Sequence, residues 1–198
     1  MLTILNYGLG NIRAFSNIYK RLDVPFKIAS SGKELKDASK IIIPGVGSFD
    51  WAMKELGRFD HIPYLHEKVV EKKTPVLGVC VGMQIMADRS EEGQLQGLGW
   101  IKKTVKKFDK GTKRVPHMGW NTVDSKDDIL ILNELYKKRF YFLHSFYFEH
   151  DNSLKQGVTD YGFSFMSAFQ KGNIYGVQFH PEKSHYFGIK LLENFSRL

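Results

Sequence analysis

Short apolar runs alternate with amphipathic stretches through the first half of the chain. Leu2–Asn6 and Pro75–Val79 have the apolar character and length of buried strands, whereas Asn11–Leu22 places its apolar residues on one helical face. The same patterns predict two further strands and two further helices, which are Pro25–Ala29, Lys40–Ile43, Asp60–Lys73 and Val81–Ser90. Apolar strands that alternate with helices are typical of a parallel sheet covered on both faces.

The second half predicts strands that follow one another through short polar turns. These strands are Trp100–Phe108, Arg139–His144, Phe163–Gln170 and Ile174–Gln178, and a last helix begins near Ser184. Strands joined by short turns favour antiparallel pairing. We therefore expect an α/β fold with a mostly parallel central sheet, helices on both faces and a mixed or antiparallel extension. No repeat or linker divides the 198 residues, so we expect residues 1–198 to form one domain.

Composition and charge exclude several classes of function. No apolar run approaches the ~18 residues needed to cross a bilayer, and the N-terminus lacks the features of a signal peptide. We therefore expect a cytoplasmic protein that does not bind membranes. The net charge of +8 favours an acidic partner surface or an anionic ligand. No nucleic-acid-binding motif accompanies the densest basic stretch, so we expect a solvated strand there. Its basic residues are Lys102, Lys103, Lys106, Lys107, Lys110, Lys113 and Arg114.

The chain has one cysteine, Cys80, which excludes an intramolecular disulfide and any zinc site that needs two thiolates. Such a residue is either a small buried hydrophobe or a reactive thiol. Residues 78–82, Gly-Val-Cys-Val-Gly, have the form of a nucleophile elbow with cysteine in the serine position. The small residues relieve crowding where a strand turns sharply into a helix, whose free N–H groups favour the reactive thiolate. The N–H of Val81 would face a developing oxyanion.

A thiol nucleophile needs a base that can later act as an acid towards the leaving group. His180, Pro181 and Glu182 follow the predicted strand Ile174–Gln178. Residues two apart in an extended segment share a face, with ~6.5–7 Å between their Cα atoms. Glu182 can therefore hold one imidazole nitrogen while the other faces the thiol. A lone His-x-Glu is more often a surface turn. His180 and Glu182 are therefore candidate catalytic residues only because the chain also contains the elbow at residues 78–82.

Together, two segments resemble the class I glutamine amidotransferases. They are Gly-Val-Cys-Val-Gly-Met-Gln at residues 78–84 and Gly-Val-Gln-Phe-His-Pro-Glu-Lys-Ser at residues 176–184. Within that family, residues 6–11, 44–47, 115–121 and 142–145 are similar to the glutaminase subunits of imidazole glycerol-phosphate synthase; Val-Pro-His-Met-Gly-Trp-Asn at 115–121 is the most specific. The resemblance covers nearly the whole chain and implies the family's flavodoxin-like α/β fold.

The resemblance implies a catalytic triad of Cys80 as nucleophile, His180 as general acid and base, and Glu182 as its orienting partner. In the same comparison Val81 and the Gly47 loop look like the oxyanion hole, which the loop completes by turning an N–H inward. Neither a metal nor a cofactor is implied.

Further residues look like binding contacts in the same comparison. Gln84, one helical turn after the nucleophile, and the Ser145–Phe146 backbone look like contacts to glutamine. A second set looks like a partner interface through which ammonia passes: His117, Trp120, Asn121, Tyr141 and Lys183. A core position for Trp120 and a solvated helix start for Lys183 remain alternatives.

The function that the resemblance implies is hydrolysis of glutamine to glutamate and ammonia, with transfer of the ammonia to a barrel cyclase in a heterodimer. That partner would be the one in histidine biosynthesis, although Phe146 stands where tyrosine is frequent and residues 94–100 are unusual. A barrel synthase that modifies a surface sugar is the alternative partner. The rival functions are a stand-alone cysteine hydrolase and a non-catalytic binding subunit. An oxyanion hole completed only in the complex would keep the isolated chain nearly idle.

Overall fold

The computed structural model describes residues 1–109, 111, 114–125 and 128–198. Its strands are β1 (Leu2–Leu5), β2 (Phe26–Ala29), β3 (Lys40–Ile43), β4 (Val76–Val79), β5 (Ala87–Ser90), β6 (Ile101–Lys107), β7 (His117–Val123), β8 (Lys138–His144), β9 (Phe146–Tyr147), β10 (Lys155–Asp160), β11 (Ser164–Lys171) and β12 (Ile174–Val177). Its α-helices are α1 (Ile12–Arg21), α2 (Phe49–Arg58), α3 (His61–His66), α4 (Val81–Gln84) and α5 (His185–Ser196). A π-helical turn, Glu67–Glu71, continues α3, and 3-10 turns cover Gly32–Leu35, Leu130–Leu132 and Pro181–Lys183.

A seven-stranded sheet in the order β10-β11-β12-β4-β3-β1-β2 forms the centre. The five strands from β12 to β2 run parallel, and β11 and β10 extend them in antiparallel fashion. The predicted α/β fold with an antiparallel extension is therefore confirmed. The neighbouring strands β12, β4 and β3 end at the same edge of the sheet, where parallel sheets characteristically place their sites.

Two smaller sheets cover that edge. One joins β5, β6 and β9, and the other is the antiparallel pair of β7 and β8, called the ribbon below. The ribbon is fixed to the end of β12 because the N–H of His180 donates to the carbonyl of Tyr141 at 2.8 Å. In return, the N–H of Tyr141 donates to the hydroxyl of Ser184 at 3.0 Å.

The predicted helix Val81–Ser90 is wrong in its second half, because the helix ends at Gln84 and Ala87–Ser90 is a strand paired with β6. The carbonyls of Ile85 and Ala87 accept hydrogen bonds from Leu98 and Gly99 instead of from their own helix. Tertiary pairing with residues distant in sequence thus outweighs the local helical pattern.

Where the structure describes it, the basic stretch lies beside acidic side chains. Lys102 pairs with Asp88 at 3.1 Å, and Lys106 pairs with Glu91 at 2.9 Å. Lys110 and Lys113 lie outside the described residues. The described lysines are thus those of a solvated strand. Among the described residues, no helix has the length and apolar character required to span a bilayer.

Candidate active site

Cys80 occupies the sharp turn between β4 and α4. Its backbone has φ 55° and ψ −114°, an unusual conformation for a residue with a side chain that costs ~1–3 kcal/mol. Two glycines make the turn possible: a Cβ at Gly82 would lie 2.0 Å from the carbonyl oxygen of Ile43, and one at Gly78 2.4 Å from that of Gly82. The strain is sustained by the sheet, because the N–H of Cys80 donates to Val177 of β12 at 2.8 Å.

α4 is only four residues long, so the helix dipole acts on Cys80 less strongly than the sequence predicts. A helix macrodipole sums over its peptide units, so a single turn contributes less to Cys80 than the predicted ten-residue helix would. The local donors remain, because the first N–H groups of a helix, including that of Val81, have no acceptor within it.

His180 and Glu182 lie beside the nucleophile, in the segment that follows β12. Nδ1 of His180 lies 2.8 Å from Oε1 of Glu182, and both side chains are 2% exposed. The ring and the Cys80 side chain line the same cavity. The structure therefore brings together the thiol, imidazole and carboxylate that the sequence singled out. The second carboxylate oxygen, Oε2, is buried and has no hydrogen-bond partner among the described residues.

Cys80 and Glu182 raise the pKa of His180. Burial opposes the charged ring, but hydrogen bonds to Cys80 and Glu182, together with their negative charges, outweigh it and raise the pKa of His180 to about 10. Beside a thiolate the ring therefore keeps its proton at neutral pH. This is the state required of an acid that later protonates a leaving group.

A cavity of about 300 Å³ opens onto Cys80 and His180. This is the lower end of the range for small-ligand pockets, which suits a substrate of amino-acid size. Its other lining residues are Val46, Gly47, Val81, Gln84, Glu92, Pro116, Leu143, His144, Ser145, Phe146 and Lys183. A larger cavity of about 820 Å³, lined by residues such as Asn121 and Asp124, contains neither Cys80 nor His180.

The loop after β3 carries Gly47, which the sequence assigned to the oxyanion hole. Gly47 has φ +96°, and a Cβ built there would meet nothing within 4 Å, so its backbone has room to turn. The base of the loop is fixed: a Cβ at Gly45 would lie 2.2 Å from the N atom of Gly82, and the Tyr7 hydroxyl donates to the carbonyl of Pro44 at 2.6 Å. The loop thus has a rigid base beside the elbow and an unobstructed glycine at its tip.

The predicted substrate contacts also meet in the cavity. The Gln84 amide, 2% exposed, donates from Nε2 to the carbonyl of Phe146 at 3.2 Å and to Oε1 of Gln178 at 2.9 Å. Its two N–H donors are thereby used, which leaves the amide oxygen for a ligand. The carbonyl of Ser145 accepts from the N–H of Phe108, so the N–H of Phe146 points away from β6.

A comparison with models of known protein families identifies the family of this chain. The model of the family "Glutamine amidotransferase class-I" matches residues 5–197. The chain belongs to the class-I glutamine amidotransferase family.

Curated relatives of this glutamine amidotransferase match it over its whole length. A protein of Bdellovibrio bacteriovorus is 48% identical and one of Leptospira interrogans is 49% identical, each with 100% of both chains covered. A third, from Methanococcus maripaludis, is 45% identical over 98% of both chains. The first two carry the name "Imidazole glycerol phosphate synthase subunit HisH", and the third is "HisH 2".

Solved structures show the same fold at low identity. A crystal structure described as a glutamine amidotransferase has a TM-score of 0.77 at 18% identity and covers 100% of this chain and 99% of its own. A glutamine amidotransferase from Thermotoga maritima has a TM-score of 0.63 at 19% identity, with 91% of this chain and 75% of that chain covered.

The residues predicted at the partner interface of this glutamine amidotransferase fall into two groups. Trp120 is 38% exposed and therefore not a core residue; it stacks on His185 at 5.2 Å between ring centroids. The ammonium of exposed Lys183 lies 5.8 Å from the ring centroid of half-buried Tyr141. His117, by contrast, is 2% exposed, and its neighbour along the face, Asn121, bonds to it. In this chain His117 therefore lies behind the surface and not on it.

Sequence reasoning missed two residues of this amidotransferase, one that lines the cavity and one that is buried beside Cys80. Half-buried Glu92 accepts a hydrogen bond from the N–H of Phe49 at 2.8 Å, and burial, partly offset by that bond, raises the pKa of its carboxyl. Gln178 is fully buried and places its amide 3.7 Å from Sγ of Cys80. A polar residue inside the apolar run 174–179 was the available signal for Gln178, whereas nothing in the sequence distinguishes Glu92 from Glu91.

Within the described ranges, no cluster of His, Cys, Asp and Glu side chains could hold a metal ion.

Proposed function

We propose that this chain is the glutaminase subunit of an imidazole glycerol phosphate synthase, which releases ammonia for a barrel cyclase in histidine biosynthesis. The single observation that carries the proposal is that Cys80 and His180 line one cavity, with Glu182 bonded to His180, in a chain that is 48% identical over its full length to a HisH subunit. The family assigns the reaction type, and the relatives' names supply the pathway.

In this proposal glutamine binds with its amino-acid end at the clamp. The N–H of Phe146 and the backbone of Ser145 face its carboxylate, and Glu92 with the amide oxygen of Gln84 faces its ammonium. A carboxylate that accepts from an ammonium forms a strong, charge-assisted hydrogen bond. Burial raises the pKa of Glu92, and among the described residues no cation pairs with it, so a substrate ammonium would supply the missing partner.

The thiolate of Cys80 then attacks the side-chain carbonyl carbon of glutamine. The N–H of Val81 and an N–H of the Gly47 loop stabilise the oxyanion. His180 donates its proton to the nitrogen that leaves as ammonia, and the C–N bond breaks to give a thioester. His180 next removes a proton from water, which hydrolyses the thioester to glutamate and restores the thiol.

Ammonia leaves towards the ribbon and the residues beside it. Val46 lines the cavity, Met118 and Trp120 lie on the ribbon strand β7, and each of the three exposes between 38% and 60% of its surface. Exposed apolar side chains grouped in this way mark a protein-binding surface. Trp120, Tyr141 and Lys183 lie within it, and we assign them to the contact with the cyclase, with His117 and Asn121 as support behind the surface. A single domain over residues 1–198 and a cytoplasmic location complete the proposal.

The test is co-purification with the candidate cyclase, followed by measurement of glutamate release with and without the histidine-pathway ribonucleotide. We expect stimulation by that ribonucleotide, with an isolated chain that is nearly idle. Stimulation only by a modified sugar favours the surface-sugar synthase, and equal turnover by the isolated chain favours a stand-alone hydrolase.

A Cys80→Ala variant in the same complex separates the two half-reactions. We expect glutamate release to fall by more than ~10³-fold, as removal of a covalent nucleophile does in comparable hydrolases. Synthase turnover driven by added ammonium chloride should remain, because the cyclase does not need Cys80. Retained glutamate release by this variant contradicts the assigned nucleophile.

A further inference from the structure

Two buried histidines face each other across the ribbon: His144 lines the cavity and His117 lies behind it. His117 of β7 and His144 of β8 are register partners, and they are 2% and 6% exposed. Nδ1 of His117 lies 2.9 Å from Nε2 of His144, and Nδ1 of His144 lies 2.7 Å from the carbonyl oxygen of Phe146. The three groups form one continuous chain of hydrogen bonds.

The chain has a single direction. A carbonyl oxygen only accepts, so Nδ1 of His144 carries a hydrogen and donates to Phe146. Burial, the largest effect, lowers the pKa of His144 to about 3, so its Nε2 is unprotonated at neutral pH and accepts from Nδ1 of His117. Nε2 of His117 then accepts from the amide of Asn121 at 3.2 Å. One assignment of protons satisfies every member of the chain.

At the cavity end, the chain holds a group that contacts the proposed substrate site. The carbonyl oxygen of Phe146 accepts from His144 and also from Nε2 of Gln84 at 3.2 Å. Gln84 in turn bridges to Gln178, whose amide lies 3.7 Å from Sγ of Cys80. The orientation of the Gln84 amide therefore depends on where the Phe146 carbonyl is held.

At the other end, the chain is anchored in the strand that presents the exposed surface. The His117 ring stacks between Phe142 and Tyr161, with centroid distances of 4.6 Å and 4.0 Å. The next residue, Met118, points outward and is 60% exposed. A fully satisfied polar chain in a buried setting fixes geometry more strongly than isolated bonds do.

We propose that His144 and His117 are positioning residues for glutamine binding, which hold the Phe146 carbonyl and thereby the Gln84 amide in the orientation that accepts the substrate ammonium. This inference rests on the proposed function, since it concerns how glutamine is bound. In this inference the two histidines position the clamp, in addition to being buried residues whose hydrogen bonds are all made.

The experiment compares two substitutions that each keep one half of the His144 contacts. In His144→Asn, the side-chain amide can occupy the place of Nδ1 and keep the bond to Phe146. In His144→Gln, the amide reaches the place of Nε2 and keeps only the contact with His117. Both variants are assayed in the complex with the cyclase and its ligand, for KM and kcat of glutamate release and for thermal midpoint.

We expect His144→Gln to raise the KM for glutamine about tenfold with a much smaller change in kcat, since it loses one buried hydrogen bond at the clamp. His144→Asn should stay within about threefold of the wild-type KM. The matching pair His117→Asn and His117→Gln should show the same order with smaller changes, which keeps the test decisive if a His144 variant does not fold.

Equal KM values in the Asn and Gln variants, with losses that follow only the thermal midpoint, overturn the positioning role and leave two structural histidines. A wild-type complex that releases no glutamate from glutamine overturns the proposed function itself and the inference with it. An active wild type with an unchanged His144→Gln variant overturns the inference alone.

Discussion

The proposed nucleophile and the proposed substrate clamp are held by different kinds of structure. Cys80 ends a central strand that is paired on both sides, and its conformation is set by backbone contacts and by glycines at 78 and 82. The Ser145–Phe146 segment follows the two-stranded ribbon: the Ser145 carbonyl accepts from the backbone of Phe108, whereas the Phe146 carbonyl is held by side-chain hydrogen bonds from His144 and Gln84. Backbone contacts therefore fix the position of Cys80, whereas side chains fix the Phe146 carbonyl, the part of the proposed clamp that contacts Gln84.

This contrast makes separable predictions. Changes on the sheet side should alter kcat or the fold, because they displace reacting atoms. Changes on the ribbon side should alter the KM for glutamine or the response to pH, because they act on binding and on buried polar groups.

The largest effect is expected for Glu182→Gln on the sheet side. An amide can donate to Nδ1 of His180 where the carboxylate accepts, which favours the wrong tautomer and removes the charge that stabilises the imidazolium. We expect kcat for glutamate release in the complex to fall by ~10³–10⁴-fold, with KM little changed. A variant with kcat within about threefold of wild type contradicts the orienting role.

Next in size is a pair of glycine substitutions in helices. A Cβ at Gly188 of α5 would lie 1.8 Å from the carbonyl oxygen of Pro181, under the turn that carries His180 and Glu182. Gly188→Ala should therefore destabilise the protein by ~2–4 kcal/mol through strain in a packed contact and lower kcat. Urea unfolding and glutamate release measure the two effects.

Gly57→Ala in α2 is the matched control, because a Cβ there meets nothing within 4 Å. The usual helix preference for alanine should then stabilise the protein by ~0.5–1 kcal/mol without changing activity. If Gly188→Ala is also stabilising, the close packing of α5 beneath the triad turn is wrong.

The same contrast explains how far sequence alone reaches. Strands buried on both faces leave continuous apolar runs, so β3 is predicted with its observed bounds and β4 to within one residue. The elbow follows from glycines whose spacing has a steric cause. The ribbon strand β7 was not predicted as a strand, because both Met118 and Trp120 lie on its exposed side and break the apolar-in, polar-out pattern.

Other features depend on partners distant in sequence. α2 is not among the helices predicted from the sequence. Its ends nevertheless carry ordinary helix signals: Ser48 precedes it, Asp50 lies in its first turn and Arg58 lies in its last turn. The position of Glu92 in the cavity depends on the N–H of Phe49, 43 residues earlier, and no local pattern reports such a contact. The direct bond between His117 and His144 likewise arises from strand register.

On the clamp side, Glu92→Gln should act on substrate binding. The amide oxygen can still accept from Phe49, so the fold is kept, but the charge opposite the substrate ammonium is lost. A hydrogen bond to a charged group contributes ~1.5–3 kcal/mol, so we expect the KM for glutamine to rise by about 10–100-fold with a smaller change in kcat. Glu91→Gln is the control: Glu91 pairs with Lys106 outside the cavity, and its loss should leave KM unchanged. Equal effects of the two substitutions contradict the role of Glu92.

The smallest effect is a pH dependence of stability that arises in the ribbon. Burial is the largest cause; opposed by the bond to Phe146 and reinforced by the neighbouring imidazoles of His117 and His180, it lowers the pKa of His144 from 6.5 to about 3. Between these values the unfolded chain binds a proton at this position that the folded chain does not. Its contribution to the free energy of unfolding is therefore complete above pH 6.5 and declines as the pH falls towards 3, by at most ~1.4 kcal/mol per pH unit.

His144→Asn removes this titration and keeps the donor to Phe146, so it isolates the effect from other acid-titrating groups. Urea unfolding of wild type and variant between pH 7 and pH 4.5 should show a shallower loss of stability in the variant. Parallel curves would mean that His144 takes up its proton equally in the folded and unfolded chains. The buried, one-directional chain behind the clamp could not then exist as described, whereas the backbone-held nucleophile on the sheet would be unaffected.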